Sequence, residues 1–207
     1  MPMKVYHKLK KQYLRRQWWP MQNDFLPREL EVCVGAVLTQ NTNWKNVEKA
    51  LDNMRKAGLT KAEKIIKAKN MEKTIKPAGF YKQKAKYLKN LCGFIVEYGA
   101  EKFFKSITRE ELMKIKGIGK ETADSILLYA CNKNHFVIDA YTKRIFSRMG
   151  IIDENSKYDE IKKFFESSLP RDRGLYKEFH AMIVEHAKNV CKKEPLCEKC
   201  IFKCKKQ

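Results

Sequence analysis

Four cysteines crowd the last stretch of the chain, CKKEPLCEKCIFKC, as Cys191, Cys197, Cys200 and Cys204 with the spacing C-x5-C-x2-C-x3-C. In a reducing compartment thiols gathered this closely bind metal rather than pair as disulfides, and four thiolates satisfy either a tetrahedral zinc or a 4Fe–4S cluster. Spacing alone leaves both open. A second set lies in KGIGKETADSI, residues 116–126. Gly117 and Gly119 carry no Cβ, so a phosphate can approach the backbone there, and the N–H groups opening the next helix can donate to it. Such a turn grips a phosphodiester without reading sequence. The histidines offer no comparable set: His180, Glu185 and His186 sit among Phe179, Ile183 and Val184 in what reads as an ordinary helix, and His135 is assigned no role.

The elements that must hold these residues read as helices almost throughout, so the expected class is all-α. After Asn43, an N-cap residue, Val47, Ala50, Leu51 and Met54 recur at spacings of three and four until Gly58 stops the pattern. Leu88, Leu91, Cys92 and Ile95 repeat the period, Thr108 and Glu111 form a capping box, and Ile161, Phe164 and Phe165 mark another apolar face. Around the glycines, Leu112, Ile115 and Ile118 precede a stripe of Ala123, Ile126, Leu127 and Ala130, so two helices meet in a tight hairpin. HFVID, residues 135–139, alone looks strand-like, and it is too short to argue for a sheet. Cys33, Cys92 and Cys131 lie on apolar helical patterns and read as small buried hydrophobes.

With 44 Lys+Arg against 24 Asp+Glu in 207 residues, the chain carries a formal charge of +20, which suits a polyanionic partner, nucleic acid before a membrane surface. No apolar run is long enough to span a bilayer, and the N-terminus lacks a signal-peptide pattern; a cytoplasmic, monomeric protein is expected.

LMKIKGIGKETADSILLYA, followed shortly by HFVIDAYTKRIF, resembles the helix-hairpin-helix and Gly/Pro-Asp loop of the endonuclease III superfamily of DNA base-excision glycosylases. GAVLTQNTNWKNVEKAL, residues 35–51, is similar to that family's early helix and glutamine loop, and GFYKQKAKYL, residues 79–88, to its G-[LF]-Y-x-x-K-A segment. The resemblance runs in order over roughly residues 18–190. It implies two helical lobes with double-stranded DNA bound across the cleft between them. One is a barrel-like lobe of residues 22–132 that contains the hairpin. The other combines residues 1–21 with 133–207 and carries the cysteine loop.

Within the resemblance Asp139 falls on the catalytic aspartate, although the same residue would also cap the helix containing Thr142, Ile145 and Phe146. A carboxylate there can stabilise an electron-poor sugar or orient water. Strand-cleaving relatives carry a nucleophilic lysine where this chain has Glu121, and Lys120 is one residue too early, about 100° away around the helix. Hydrolysis without lyase action is therefore expected, with a lyase using another lysine, or a module that only binds damaged DNA, as alternatives. Trp18, Trp19 and Pro20, with the motifs above, look closest to the 3-methyladenine branch, which points to an alkylated purine and to Trp18 or Trp19 as a pocket wall. Gln40 would fill the gap left by the flipped base and Phe80 would wedge beside it; a loop hydrogen bond and core packing are their plainer roles. Lys82, Lys84, Lys86, Lys116 and Lys120 would meet phosphates. The superfamily commonly ends in a four-cysteine 4Fe–4S loop, so the cluster is preferred at Cys191, Cys197, Cys200 and Cys204. The present spacing is tighter than the common C-x6-C-x2-C-x5-C, and zinc is the alternative.

Overall fold

The computed structural model describes residues 1–13, 24–202 and 204; Trp18 and Trp19 lie outside them. The chain divides into two compact units, Met1–Trp18 with Lys133–Gln207, and Trp19–Asn132. In chain order the α-helices are α1 (Pro2–Gln12), α2 (Glu29–Thr39), α3 (Trp44–Lys56), α4 (Ala62–Lys67), α5 (Met71–Thr74) and α6 (Tyr81–Tyr98). They continue as α7 (Ala100–Ser106), α8 (Arg109–Lys114), α9 (Lys120–Ser125), α10 (Ala140–Arg148), α11 (Tyr158–Ser168) and α12 (Arg173–Asn189). Among the described residues, pairing of the sheet type is confined to one isolated bridge between Leu26 and Lys61.

The unit containing α2–α9 is built around α2, whose Leu30, Val32, Cys33, Val34, Val37 and Leu38 are all buried. A helix apolar on every side belongs inside, and its one carboxylate in the core, Glu31, is paired with Arg55 at 2.8 Å. The period seen in α3 is realised: Val47, Ala50, Leu51 and Met54 are buried, and the Asn43 side chain accepts from the Asn46 N–H. Cys33 and Cys92 are fully buried, and burial pushes both thiols up, that of Cys92 to about 12; Cys131 is only half-buried. Downstream, α9 passes directly into a π-turn, Ile126–Ala130, closed by the Cys131 N–H on the Ile126 carbonyl at 3.0 Å. Periodicity of 3.6 gives no warning of that extra residue.

The other unit packs α1 and α10 against α12 around an aromatic core. Phe136 stacks on Phe165 with centroids 4.6 Å apart, and Tyr176 and Phe179 meet Phe136 edge-on at 5.3 and 5.7 Å. HFVID is therefore a buried strap rather than a strand. Its Phe136 N–H donates to Glu166 Oε1 at 2.8 Å and its Ile138 N–H to the Tyr158 hydroxyl at 3.3 Å, so side chains satisfy a backbone that a sheet would otherwise pair. Anchored this way, the strap delivers its last residue, Asp139, to the start of α10.

Candidate active site

Asp139 caps α10 as its residue type suggests. Its Oδ1 accepts from the Thr142 N–H at 2.7 Å and from the Thr142 hydroxyl at 2.8 Å. The second oxygen, Oδ2, lies 3.3 Å from His180 Nε2 on α12, a contact that is an ion pair when the imidazole is protonated; the two side chains are 13% and 8% exposed. Burial alone would raise this carboxyl. The charge and contact of His180, then the two bonds from Thr142, outweigh it and hold Asp139 below the ordinary aspartate value. The site thus keeps a nearly buried carboxylate ionised, which is the form able to face developing positive charge or take a proton from water.

His180 is the functional candidate that the sequence reading passed over. Helical periodicity places it beside Phe179 on a buried face, and a histidine there must find a polar partner. Nothing in a single sequence says which.

In the other unit, the hairpin joins α8 to α9 through Ile115–Gly119, with Ile115 and Ile118 buried beneath it. Thr108 and Glu111 form the expected reciprocal capping box, and the Arg109 Nε–Asp124 Oδ1 contact at 3.0 Å clamps α8 to α9. The two glycines do different work. Gly119 opens α9 at φ −89° with open space where a Cβ would stand and no side-chain cap, so its face is the one a phosphate can approach. Gly117 has φ +103°, and a Cβ there would sit 2.1 Å from the Tyr87 ring. Gly117→Ala is therefore expected to cost about 2–5 kcal/mol from left-handed strain plus overpacking. Gly119→Ala should leave stability nearly unchanged while weakening duplex binding. Chemical denaturation with fluorescence anisotropy checks both, and equal stability of the two variants would contradict this division.

Gln40 is hydrogen-bonded to the hairpin: its Nε2 donates to the Gly117 carbonyl and to Thr122 Oγ1, each at 3.0 Å. To enter a gap in DNA it must leave these partners. Phe80 is 65% exposed and holds φ 44°, ψ 30°, a left-handed conformation unusual for a bulky residue, directly before α6. That is not core packing. Lys82, Lys86, Lys116, Lys120 and Glu121 are exposed.

Lys84 departs from the expected phosphate contact. It is 2% exposed, and its Nζ donates to the Leu38 carbonyl near the end of α2 and to the Ala78 carbonyl, both at 2.8 Å. Burial pushes its ammonium down to about 8. The run KQKAK reads as uniformly basic surface, but one turn of α6 faces inward, and the unpaired carbonyls at two chain turns take the charge.

The four C-terminal cysteines line one cavity of 610 Å³ with Arg144, Arg148 and Leu196. Cys191 and Cys200 are buried, Cys197 and Cys204 half-buried, and burial together with the charge of Cys200 raises the Cys204 thiol. Arg148 Nη1 donates to Cys191 Sγ at 3.4 Å and to the Lys192 carbonyl at 2.6 Å; Arg144 Nε donates to the Cys191 carbonyl at 2.9 Å. His186, lowered to about 4 by burial, sets Nδ1 2.9 Å from the Tyr13 hydroxyl and Nε2 3.6 Å from Cys200 Sγ. Among the described residues no three His, Cys or acidic groups converge as ligands of a single ion; the thiols ring the cavity wall instead. Two arginines bonded to the loop offset the charge that several thiolates would bring.

Residues 34–171 match the HhH-GPD superfamily base excision DNA repair protein family. A Methanocaldococcus jannaschii protein provisionally named a DNA repair glycosylase is 51% identical over 209 residues, covering 97% of this chain and 93% of its own. Endonuclease III of Thermotoga maritima is 31% identical over 83% of this chain and 79% of its own. Among solved structures, H. pylori 3-methyladenine DNA glycosylase (MagIII) bound to 1,N6-ethenoadenine is similar with a TM-score of 0.79 and 34% identity, covering 90% of this chain and 97% of that one. In keeping with its helical units, glycine hairpin and capped aspartate, the chain belongs to the HhH-GPD superfamily of base excision DNA repair proteins and is a DNA glycosylase, a hydrolase of N-glycosyl bonds.

Proposed function

We propose that this glycosylase is monofunctional: it flips an alkylated purine of the 3-methyladenine type out of duplex DNA, hydrolyses its N-glycosidic bond with Asp139 and stops. The observation that carries the reading is the ionised, nearly buried Asp139 carboxylate. A cationic alkylpurine already leaves its sugar readily, so the enzyme needs an anion facing the electron-poor sugar and a directed water more than it needs a strong acid. Gly119 and the exposed lysines Lys82, Lys86, Lys116 and Lys120 would hold the phosphates, Gly117 would shape the turn, and Phe80 would wedge the duplex with Gln40 released from the hairpin. Trp18 or Trp19 would wall the base pocket. The etheno-adenine bound by the similar MagIII structure supports a modified adenine as substrate. Glu121 in place of an amine supports hydrolysis by water alone.

Cys191, Cys197, Cys200 and Cys204 would hold a 4Fe–4S cluster. Four thiols lining one cavity, together with the resemblance to relatives that end in a four-cysteine cluster loop, support the cluster over a single zinc. When bound, the cluster would supply a cross-link between the end of α12 and the C-terminal loop, and Arg148 would stabilise the Cys191 thiolate. The enzyme would act as a cytoplasmic monomer, and no helix among the described residues is long and apolar enough to cross a membrane.

Duplexes carrying 3-methyladenine, 1,N6-ethenoadenine, uracil, a thymine mismatch or an oxidised purine, incubated with purified protein, test the substrate. Release of the alkylated purines fastest, leaving an intact strand, is expected; preference for uracil or the mismatch would move the substrate assignment. Visible charge-transfer absorption of the purified protein is expected, and a colourless zinc-containing protein would replace the cluster.

A further inference from the structure

We infer that His180 is a positioning residue for Asp139, the partner that keeps the carboxylate ionised and its second oxygen aimed. The inference rests on the reading of Asp139 as the hydrolytic carboxylate, and it adds a residue from a different helix to that site. Each oxygen of Asp139 has its own holder. Oδ1 belongs to the helix cap, where Thr142 supplies both an N–H and a hydroxyl. Oδ2 faces His180 Nε2 at 3.3 Å.

His180 is 6% exposed and fixed by its neighbours. Phe179, the residue before it, is fully buried and packs edge-on against Phe136, three residues before Asp139 in the strap. One turn of α12 therefore sets both the strap and the carboxylate at its end. The groups that hold Asp139 down are His180 from α12, first, and Thr142 from its own helix. Burial opposes the ionised form, and the imidazole is the largest influence set against it. A cap could be met by Asp139 and Thr142 alone; a histidine brought in on a second helix serves the charge.

The test is His180→Gln, which retains hydrogen-bonding capacity and removes the imidazole. Single-turnover base release from duplex DNA methylated with dimethyl sulfate is followed from pH 3 to 8.5, with release in protein-free buffer subtracted. The acid limb is expected to move up by about one pH unit, with about tenfold slower release on the wild-type limb and at most about threefold slower release at pH 8. An acid limb that stays in place overturns the assignment. In parallel, the Asp139 carboxyl carbon is titrated by NMR in wild type and variant, where the same upward displacement is expected and none would overturn it. Should the wild-type enzyme release nothing from methylated DNA, the substrate reading fails and the carboxyl titration alone decides for His180. Should His180→Gln not fold, His180→Asn supplies the same comparison: an Asp139 carboxyl titration displaced upward supports the pair, and one that stays in place sinks it.

Discussion

Asp139→Asn stops base excision and leaves the fold and duplex binding in place. The expected loss in single-turnover rate is about 10²–10⁴-fold, the range that a positioned charge or base contributes. Asparagine is as good an N-cap as aspartate, so its side-chain oxygen can still accept from the Thr142 N–H and hydroxyl that now hold Oδ1. What disappears is the negative charge, and with it the attraction to His180 and to an electron-poor sugar. Thermal denaturation should show a shift of only a few degrees, and anisotropy with a duplex probe should show affinity within about threefold of wild type. Excision that survives within tenfold would mean Asp139 is only a helix cap. Loss of binding along with excision would mean the carboxylate organises the surface rather than the reaction.

The route from sequence to this site was clearest where the signal was local. Asn43, Thr108 and Asp139 each cap the helix that follows, because a capping side chain needs only the backbone three residues on. The period of Val47, Ala50, Leu51 and Met54 was equally legible, since one face of one helix answers to one core. Contacts between distant segments were not. His180 meets Asp139 across 41 residues of sequence, and Lys84 meets Leu38 across 46, so neither partner is written near the other. Lys84 shows the error this invites: a lysine in a basic run was expected at a phosphate, and α6 turns it into the protein. Tyr87 shows the gain. It explains Gly117 by occupying the space of the missing Cβ, a reason independent of DNA, and leaves Gly119 as the glycine with room for a phosphate. HFVID, strand-like but too short to argue for a sheet, has its backbone met by the side chains of Tyr158 and Glu166 on α11, partners that its own residues do not name.

Glu121→Lys should convert the chemistry rather than merely slow it. Glu121 is exposed in the first turn of α9, so the replacement removes no core contact and forfeits a favourable interaction with the helix dipole of about 0.3–1 kcal/mol. In exchange it places a primary amine where strand-cleaving relatives carry theirs by resemblance. Positive neighbours such as Lys116 and Lys120 on the same hairpin favour the uncharged, nucleophilic amine. Its attack on C1′ displaces the base, and loss of a proton from nitrogen as the sugar ring opens yields a Schiff base. Borohydride reduces that to a stable secondary amine joining protein and DNA. Wild-type protein incubated with lesion duplex and borohydride is expected to give no covalent band and an unbroken strand, whereas Glu121→Lys gives both a trapped complex and strand cleavage. A wild-type band abolished by changing one lysine would reveal an amine nucleophile already present and end the monofunctional reading. A variant that excises normally yet never traps would show that the position at the start of α9 does not reach the sugar, and the significance given to Glu121 would go with it.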